Sequence, residues 1–204
     1  MSIDILNVIC HVIPMAQIAP PTDRQDTILV AAFQAFATYG YRRASMDDIA
    51  RGAGLSRTAL YLHYRNKEDI IRSLTHRHFE QAAADLKMAL NQPGLTVQQA
   101  LLAGFIAKDG KFMEVVLATA HGAELLEAGL SVSGDLAAEG EARIVLVLAE
   151  WLAALGVTAS LGPAEALART IMAALKGLKS SVKTLAELHA GEAHLAELIA
   201  RAQD

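Results

Sequence analysis

The sequence has 204 residues, of which 53% are hydrophobic, 20% are charged and only 5% are aromatic. Alanine supplies 39 positions, and this abundance of a strong helix former predicts a helical protein large enough for one medium domain or two small ones. A single cysteine excludes a disulfide framework and a multi-cysteine zinc site, and no apolar run offers the roughly 20 residues of a membrane-spanning helix.

The first 22 residues differ in composition from the rest. Residues 1–22 are largely apolar, contain no Lys or Arg, and are interrupted by Pro14, Pro20 and Pro21. A secretory leader begins with a positively charged region, so the pattern favours an N-terminal arm and a cytoplasmic protein. Three explanations remain open: the arm is only partly ordered, Met15 is the natural start, or the arm packs on the protein or on a partner.

Capping residues and glycines divide the remaining chain into about nine predicted helices. Four precede Pro93-Gly94, and they span 23–39, 46–53, 57–64 and 66–90. Those that follow are a helix from Thr96, Lys111–Ala128 ended by Gly129, Asp135–Leu155 ended by Gly156, a helix from Pro163, and one from Thr184 to the C terminus. No segment alternates between apolar and polar residues for long, so we predict an all-α fold.

The second and third predicted helices carry the most specific signal. Both are short, and a turn that contains Gly54 joins them, which is the layout of a helix-turn-helix. Residues 24–65 hold six Arg against three Asp, a local net charge of +3 in a chain whose net charge is −4. Because a helix fits the major groove of B-DNA and phosphates attract cations, this pattern indicates contact with nucleic acid. A solvated surface explains the same asymmetry equally well.

A long motif extends over these helices. The segment from Arg24 to Tyr41 resembles the opening helix of TetR-family regulators, and residues 44–68 (ASMDDIARGAGLSRTALYLHYRNKE) resemble the rest of that family's DNA-binding signature. The resemblance covers about residues 24–71 without a gap. Tyr64 stands where Phe is commoner, and Ile70 stands where Leu is commoner. The apolar arm before Arg24 departs further, because many relatives have a short or basic arm there.

The resemblance implies an all-α protein of two parts that contacts DNA with its first part. The implied division is an arm (1–22), a helix-turn-helix DNA-binding domain (23–66) and a ligand-binding and dimerisation domain (67–204), with helix 67–91 connecting them. The implied DNA contacts are Ser45, Arg57, Thr58, Tyr61, His63 and Lys67. Five of them have a simpler alternative: Ser45 as a helix cap, Tyr61 as a core residue, His63 without a role, and the cations Arg57 and Lys67 as solvated charges.

The second half gives weaker signals. Apolar stripes on the last two predicted helices resemble the family's dimer-forming bundle, and the residues assigned to that interface are Leu167, Ile171, Leu175, Leu178, Leu188, Leu195 and Ile199. Large or polarisable side chains suit an adaptable ligand cavity. The residues assigned to it are Phe105, Met113, Val116, His121, Trp151 and Met172, with Phe112 as a further candidate. Packing of both sets within the chain's own core is the alternative.

The sequence shows no nucleophile turn, no glycine-rich phosphate loop and no metal-ligand or cofactor motif, so an enzyme is not expected. The resemblance implies a homodimeric regulator, most often a repressor, that binds a palindromic operator and responds to a small, largely apolar molecule. The alternative is a helical ligand- or partner-binding protein whose DNA-binding head is vestigial.

Overall fold

The computed structural model describes residues 24–156 and 161–202. The predicted arm, residues 1–22, lies outside the described residues. Within the described ranges the chain forms helices and no strand, which confirms the all-α prediction. The helices are α1 (Arg24–Tyr39), α2 (Met46–Gly52), α3 (Arg57–Tyr61), α4 (Lys67–Leu90), α5 (Val97–Ala118), α6 (Gly122–Ala154), α7 (Ala164–Ser181) and α8 (Leu185–Arg201). None of them is both long enough and apolar enough to span a membrane.

Side-chain caps begin several of these helices where the sequence predicts them. Ser45, Ser56 and Thr184 are the N-cap residues of α2, α3 and α8, and each side chain accepts a hydrogen bond from the backbone N–H three residues further on. The first N–H groups of a helix have no partner within the helix, so each such cap stabilises it by about 1 kcal/mol.

The middle of the chain corrects the predicted helix Lys111–Ala128. Helix α5 continues to Ala118, the chain turns at residues 119–121, and α6 begins at Gly122 and continues through Gly129. Gly122 is the residue that this turn requires, because a Cβ there would lie 2.1 Å from the carbonyl oxygen of Val116. Gly129 sits inside α6, where an added Cβ would meet only ordinary van der Waals contacts, so nothing ends the helix there.

Both long helices contain an internal break. Gly110 interrupts α5 with φ 48° and ψ −150°, and Ser133 interrupts α6 with φ −131° and ψ 30°. These breaks fall close to the predicted helix starts at Lys111 and Asp135. The side chain of Ser133 is fully buried.

The described residues pack as two compact units. The first unit comprises residues 24–77 and 111–137. Its core contains Phe36, Ile49 and Leu60, all fully buried, together with Val115 and Leu125. Burial of a side chain of this size stabilises a fold by about 1.5–3 kcal/mol, so this core fixes α1, α2 and α3 relative to one another.

The second unit comprises residues 78–110 and the described part of 138–204. Its core draws side chains from five helices, and the largest fully buried ones are Leu86, Leu101, Phe105, Leu148, Leu152 and Leu175. Trp151 packs against this core, and its indole N–H donates a hydrogen bond to the carbonyl oxygen of Leu90 at 2.9 Å.

Candidate functional site

Helix α2 begins with a reciprocal capping arrangement. The Ser45 hydroxyl oxygen accepts from the backbone N–H of Asp48 at 3.2 Å, and the Asp48 carboxylate accepts from the backbone N–H of Ser45 at 3.0 Å. The Ser45 hydroxyl also donates to that carboxylate at 2.6 Å, and this bond lowers the pKa of Asp48. The hydroxyl proton of Ser45 is therefore already engaged, so it must leave Asp48 before it can donate to a DNA phosphate.

Helix α3 is shorter than the predicted span 57–64. It ends at Tyr61, and the carbonyl oxygen of Leu60 then accepts hydrogen bonds from the backbone N–H groups of both His63 and Tyr64. This arrangement accompanies the burial of Tyr64, which is only 7% exposed. Fully buried Leu60 anchors the other side of α3 in the core.

The exposed side of α3 presents Arg57 in a defined position. Its Nη1 donates to Asp47 Oδ2 at 3.0 Å, and its Nη2 lies 3.4 Å from the Tyr61 hydroxyl. The guanidinium also lies over the Tyr61 ring, 5.5 Å from the ring centroid. These contacts raise the pKa of Arg57, so it is a permanent cation on this surface.

The other residues predicted on α3 are exposed to different degrees. Thr58 and Tyr61 are exposed, and His63 is half-buried. Between the last two lies Leu62, which is 82% exposed and the most exposed of the large hydrophobic side chains in the described part of the chain. The structure therefore brings Arg57, Thr58 and Tyr61 together on one accessible surface.

Lys67 contacts the turn between α1 and α2. Its ammonium group donates to the carbonyl oxygens of Tyr41 and Arg42 at 2.7 and 3.1 Å and lies 5.0 Å from the centroid of the Tyr41 ring. Lys67 therefore holds the turn between α1 and α2, and one of its three N–H donors remains for another acceptor.

Sequence reasoning did not single out the residues of that turn. Glu124 accepts a hydrogen bond from the backbone N–H of Arg42 at 2.8 Å, on the opposite side of the peptide from Lys67. The side chains of Arg42 and Arg43 are exposed and have no ion-pair partner among the described residues. Two adjacent cations between short helices are the sequence signal that could have identified this pair as further phosphate contacts.

A family of known proteins matches one segment of this chain. Residues 28–74 match the family described as bacterial regulatory proteins, tetR family, and this span includes all of α2 and α3. The match covers 47 of the 204 residues of this chain.

Curated transcriptional regulators match part of this chain. The HTH-type transcriptional activator FasR of Mycolicibacterium smegmatis is 34% identical over 71 residues, which are 35% of this chain and 32% of FasR. The HTH-type transcriptional regulator EthR of the same organism is 30% identical over 82 residues, 40% of this chain and 38% of EthR. The chain thus matches about a third of the length of these relatives.

Solved structures extend the similarity to most of the chain. The fatty acid degradation regulator FadR from Bacillus halodurans superposes with a TM-score of 0.65 at 20% identity, covering 86% of this chain and 97% of FadR. GusR from Salmonella enterica gives a TM-score of 0.63 at 20% identity, covering 90% and 96%. These similarities show that most of the chain shares the fold of these two regulators.

The residues predicted for the dimer interface lie partly in the second unit's own core. Ile171, Leu175 and Leu188 are at most 2% exposed in a single chain, and Ile199 is 7% exposed. Leu167, Leu178 and Leu195 are half-buried and pack against the same core. Because Ile171, Leu175 and Leu188 are buried within the single chain, a second copy can contact only other residues of α7 and α8.

The residues predicted for a ligand cavity divide between the two units. Phe105, Trp151 and Met172 belong to the core of the second unit. Met113, Val116 and His121 belong to the first unit, as does Phe112, whose ring centroid lies 6.3 Å from that of Phe33. The structure therefore does not place all six in one unit.

A small cleft in the first unit contains one of them. It has a volume of about 280 Å³ and is lined by Thr38, Tyr39, Arg43, Asp48 and His121. His121 Nδ1 lies 3.5 Å from Glu124 Oε2, so the imidazole pairs with the carboxylate that holds the Arg42 turn. The cleft is slightly smaller than typical ligand pockets, and each of its five lining residues carries a polar or charged group.

The second unit contains a buried group of charged side chains that sequence reasoning did not identify. Asp109 Oδ1 accepts hydrogen bonds from the ammonium groups of Lys108 and Lys179. Both carboxylate oxygens of fully buried Glu192, and Asp109 Oδ2, have no hydrogen-bond partner among the described residues. Burial and the nearby Asp109 raise the pKa of Glu192 to about 7.

Proposed function

We propose that the chain is a DNA-binding transcriptional regulator in which α3 enters the major groove. The observation that carries this proposal is Arg57, an exposed cation whose orientation Asp47 and Tyr61 hold on the accessible surface of α3. An arginine can bond both the O6 and the N7 acceptors of guanine, and the exposed Thr58 hydroxyl and Tyr61 hydroxyl next to it can donate to bases or phosphates. The two relatives named above, a transcriptional activator and a transcriptional regulator, support the class.

The regulator acts as a homodimer on a palindromic operator. One helix contacts only a few base pairs, whereas two copies related by a dyad read half-sites about one helical turn or a multiple apart. Small side chains on α7 and a stripe at every fourth position of α8 are exposed in the single chain, which suits close packing of two copies. They are Ala166, Thr170, Ala174 and Gly177 on α7, and Ala186, Ala190, His194 and Leu198 on α8.

The regulator releases or gains DNA when a small, largely apolar molecule binds the second unit. Phe105, Trp151 and Met172 are the side chains that support this, because aromatic and thioether groups adapt to apolar ligands. The molecule must bind one of two conformations better, and a typical coupling free energy between such sites is about 1–3 kcal/mol. Native mass spectrometry of the purified protein tests this part, because a co-purified effector adds a discrete mass to the dimer.

Selection of bound DNA from a random duplex pool, at two salt concentrations, tests the main proposal. Enrichment of a palindrome that weakens as salt increases is the expected result, with a slope of about −0.9 per neutralised phosphate. No enrichment at either salt concentration, from protein that mass spectrometry shows to be free of ligand, contradicts it.

One observation favours the alternative of a vestigial DNA-binding head. Arg51, Arg57 and Arg65 are each paired with a carboxylate of the first unit, which reduces the free positive charge there. Affinity for duplex DNA that does not depend on salt supports this alternative, and a steep salt dependence excludes it.

A further inference from the structure

A carboxylate lies on the surface that the proposed function assigns to DNA. Asp47 is in the first turn of α2, and its side chain is 50% exposed. Its Oδ2 accepts the hydrogen bond from Arg57 Nη1. A negative charge at this position repels DNA phosphates, so its presence calls for a physical reason.

Stability of the fold supplies only a small part of that reason, because a carboxylate in the first turn of a helix stabilises it through the helix dipole by about 0.3–1 kcal/mol. The side chains of Asp47 and Arg57 are 50% and 62% exposed, and ion pairs between exposed side chains contribute little to folding. The capping of α2 depends on Ser45 and Asp48, and the Asp47 side chain takes no part in it.

The contacts of Arg57 show what Asp47 does control. Asp47 binds Nη1, the Tyr61 hydroxyl faces Nη2, and the Tyr61 ring lies against the guanidinium plane. Together they fix both the position and the tilt of the guanidinium. An arginine has five N–H donors in a rigid planar arrangement, so three remain for a base after these two bonds. A donor group that is already oriented loses less side-chain freedom when it binds.

We propose that Asp47 is a positioning residue that sets base preference: it orients the Arg57 guanidinium toward a guanine and weakens binding to DNA that lacks this base. The inference rests on the proposed function of α3. Specificity is a difference between two affinities, and Asp47 acts on both of them. In DNA that has the guanine, the oriented guanidinium of Arg57 forms two hydrogen bonds to this base, which offset the repulsion between Asp47 and the phosphates. In DNA that lacks the guanine, nothing offsets this repulsion.

Three variants separate the charge of Asp47 from its position. Asp47→Asn removes the charge, and Asp47→Glu keeps the charge but moves the carboxylate away from Arg57 Nη1. Asp69→Asn is the matched control, because Asp69 on α4 pairs with the exposed Arg65 and its replacement removes the same charge from the first unit. Thermal unfolding of each variant checks that the fold is retained.

Fluorescence anisotropy then gives the affinity of each full-length protein for two probes. One probe is the duplex that the wild-type protein enriches most from a random pool, and the other is the same duplex with its half-site guanines replaced. We expect Asp47→Asn to reduce the ratio of the two affinities by about tenfold, mainly because it binds the substituted duplex more tightly. Asp47→Glu reduces the ratio while its affinity for the substituted duplex stays near the wild-type value. Asp69→Asn leaves the ratio unchanged.

Two results overturn the inference. One is an unchanged ratio in Asp47→Asn, and the other is an equal loss of affinity for both duplexes, which a purely structural role in α2 produces. A wild-type protein that enriches no duplex is a different result, because it contradicts the proposed function itself.

Discussion

Glu124 binds the backbone N–H of Arg42 at 2.8 Å across 82 positions of sequence. With Lys67 on the carbonyl oxygens of Tyr41 and Arg42, it holds the turn from both sides. This turn leads directly into the N-cap of α2, so its geometry sets where the helix-turn-helix begins. The same carboxylate pairs with His121, which lines the polar cleft of the first unit.

Replacement of Gly40 by alanine tests how tightly Glu124 approaches this turn. Gly40 has φ 83°, and an added Cβ would lie 2.5 Å from Glu124 Oε2. Gly94 is the matched control, because it has φ 81° but nothing within 4 Å of an added Cβ. In both variants alanine must adopt a positive φ, which costs about 1 kcal/mol or more. We expect Gly40→Ala to lower the free energy of unfolding by at least about 1 kcal/mol more than Gly94→Ala does. Urea unfolding measures the difference, and equal losses contradict the close approach.

Lys67→Met removes the ammonium group from the two carbonyl oxygens and keeps the apolar stem. Hydrogen bonds from charged groups stabilise folded proteins by about 1.5–3 kcal/mol, so we expect the free energy of unfolding to fall by about 2 kcal/mol. Lys87→Met, at an exposed position of the same helix, serves as the control and should change stability by less than about 0.5 kcal/mol. If the two variants unfold at the same denaturant concentration, Lys67 does not hold the turn.

The buried charged group predicts a pH dependence of stability. In the folded chain the pKa of Glu192 is raised from 4.5 to about 7. The folded state therefore binds a proton at Glu192 more tightly than the unfolded state does. As a result, ionisation of Glu192 lowers the free energy of unfolding as pH rises from about 5 to 7. His78 acts in the opposite direction, because burial lowers its pKa from 6.5 to about 4 and its contribution increases stability as pH rises to about 6.5.

Glu192→Gln isolates the contribution of Glu192, because the variant and the wild type share His78 and the neighbouring Lys108, Asp109 and Lys179. We expect the difference in free energy of unfolding between the variant and the wild type to change in the variant's favour by about 2–3 kcal/mol from pH 5 to pH 7.5. This range stays below the pKa of Lys108, which burial lowers to about 8. Guanidinium unfolding at each pH gives the difference, and a difference that does not change with pH contradicts the assignment.

Ala174→Arg tests the proposed dimer surface. Ala174 is exposed on α7 among other small residues, so a long cation there should separate two closely packed copies. We expect the molar mass in solution to fall from twice the chain mass of 21.7 kDa to one chain mass. Ala84→Arg, at an exposed position of α4, should keep the mass of a dimer. A wild-type protein with the mass of one chain contradicts the proposed dimer directly.

The sequence predicted those parts of the structure that depend on neighbouring residues. Ser45, Ser56 and Thr184 cap helices where expected, because a cap acts within three residues of itself. The predicted helix end at Gly129 was wrong, because a glycine is tolerated inside a helix and the turn requires Gly122 instead.

Contacts between distant positions could not be predicted in the same way. Glu124 and Arg42 are joined only by the fold, and the same is true of Lys179 and Asp109, which are 70 positions apart. The pattern of apolar residues on α7 is equally consistent with packing inside one chain and with a dimer interface. Only the structure shows that Ile171 and Leu175 are buried within one chain. Predictions that concern operator contacts and the effector stay predictions.

The most direct test of the account compares DNA selection by the wild-type protein and by Arg57→Ala, from one random duplex pool at two salt concentrations. The account predicts that the wild type enriches a palindrome containing guanine, and that Arg57→Ala still binds DNA in a salt-dependent manner but loses the preference at that base. Selection of the same motif by both proteins would contradict the central claim that Arg57 on α3 reads the sequence.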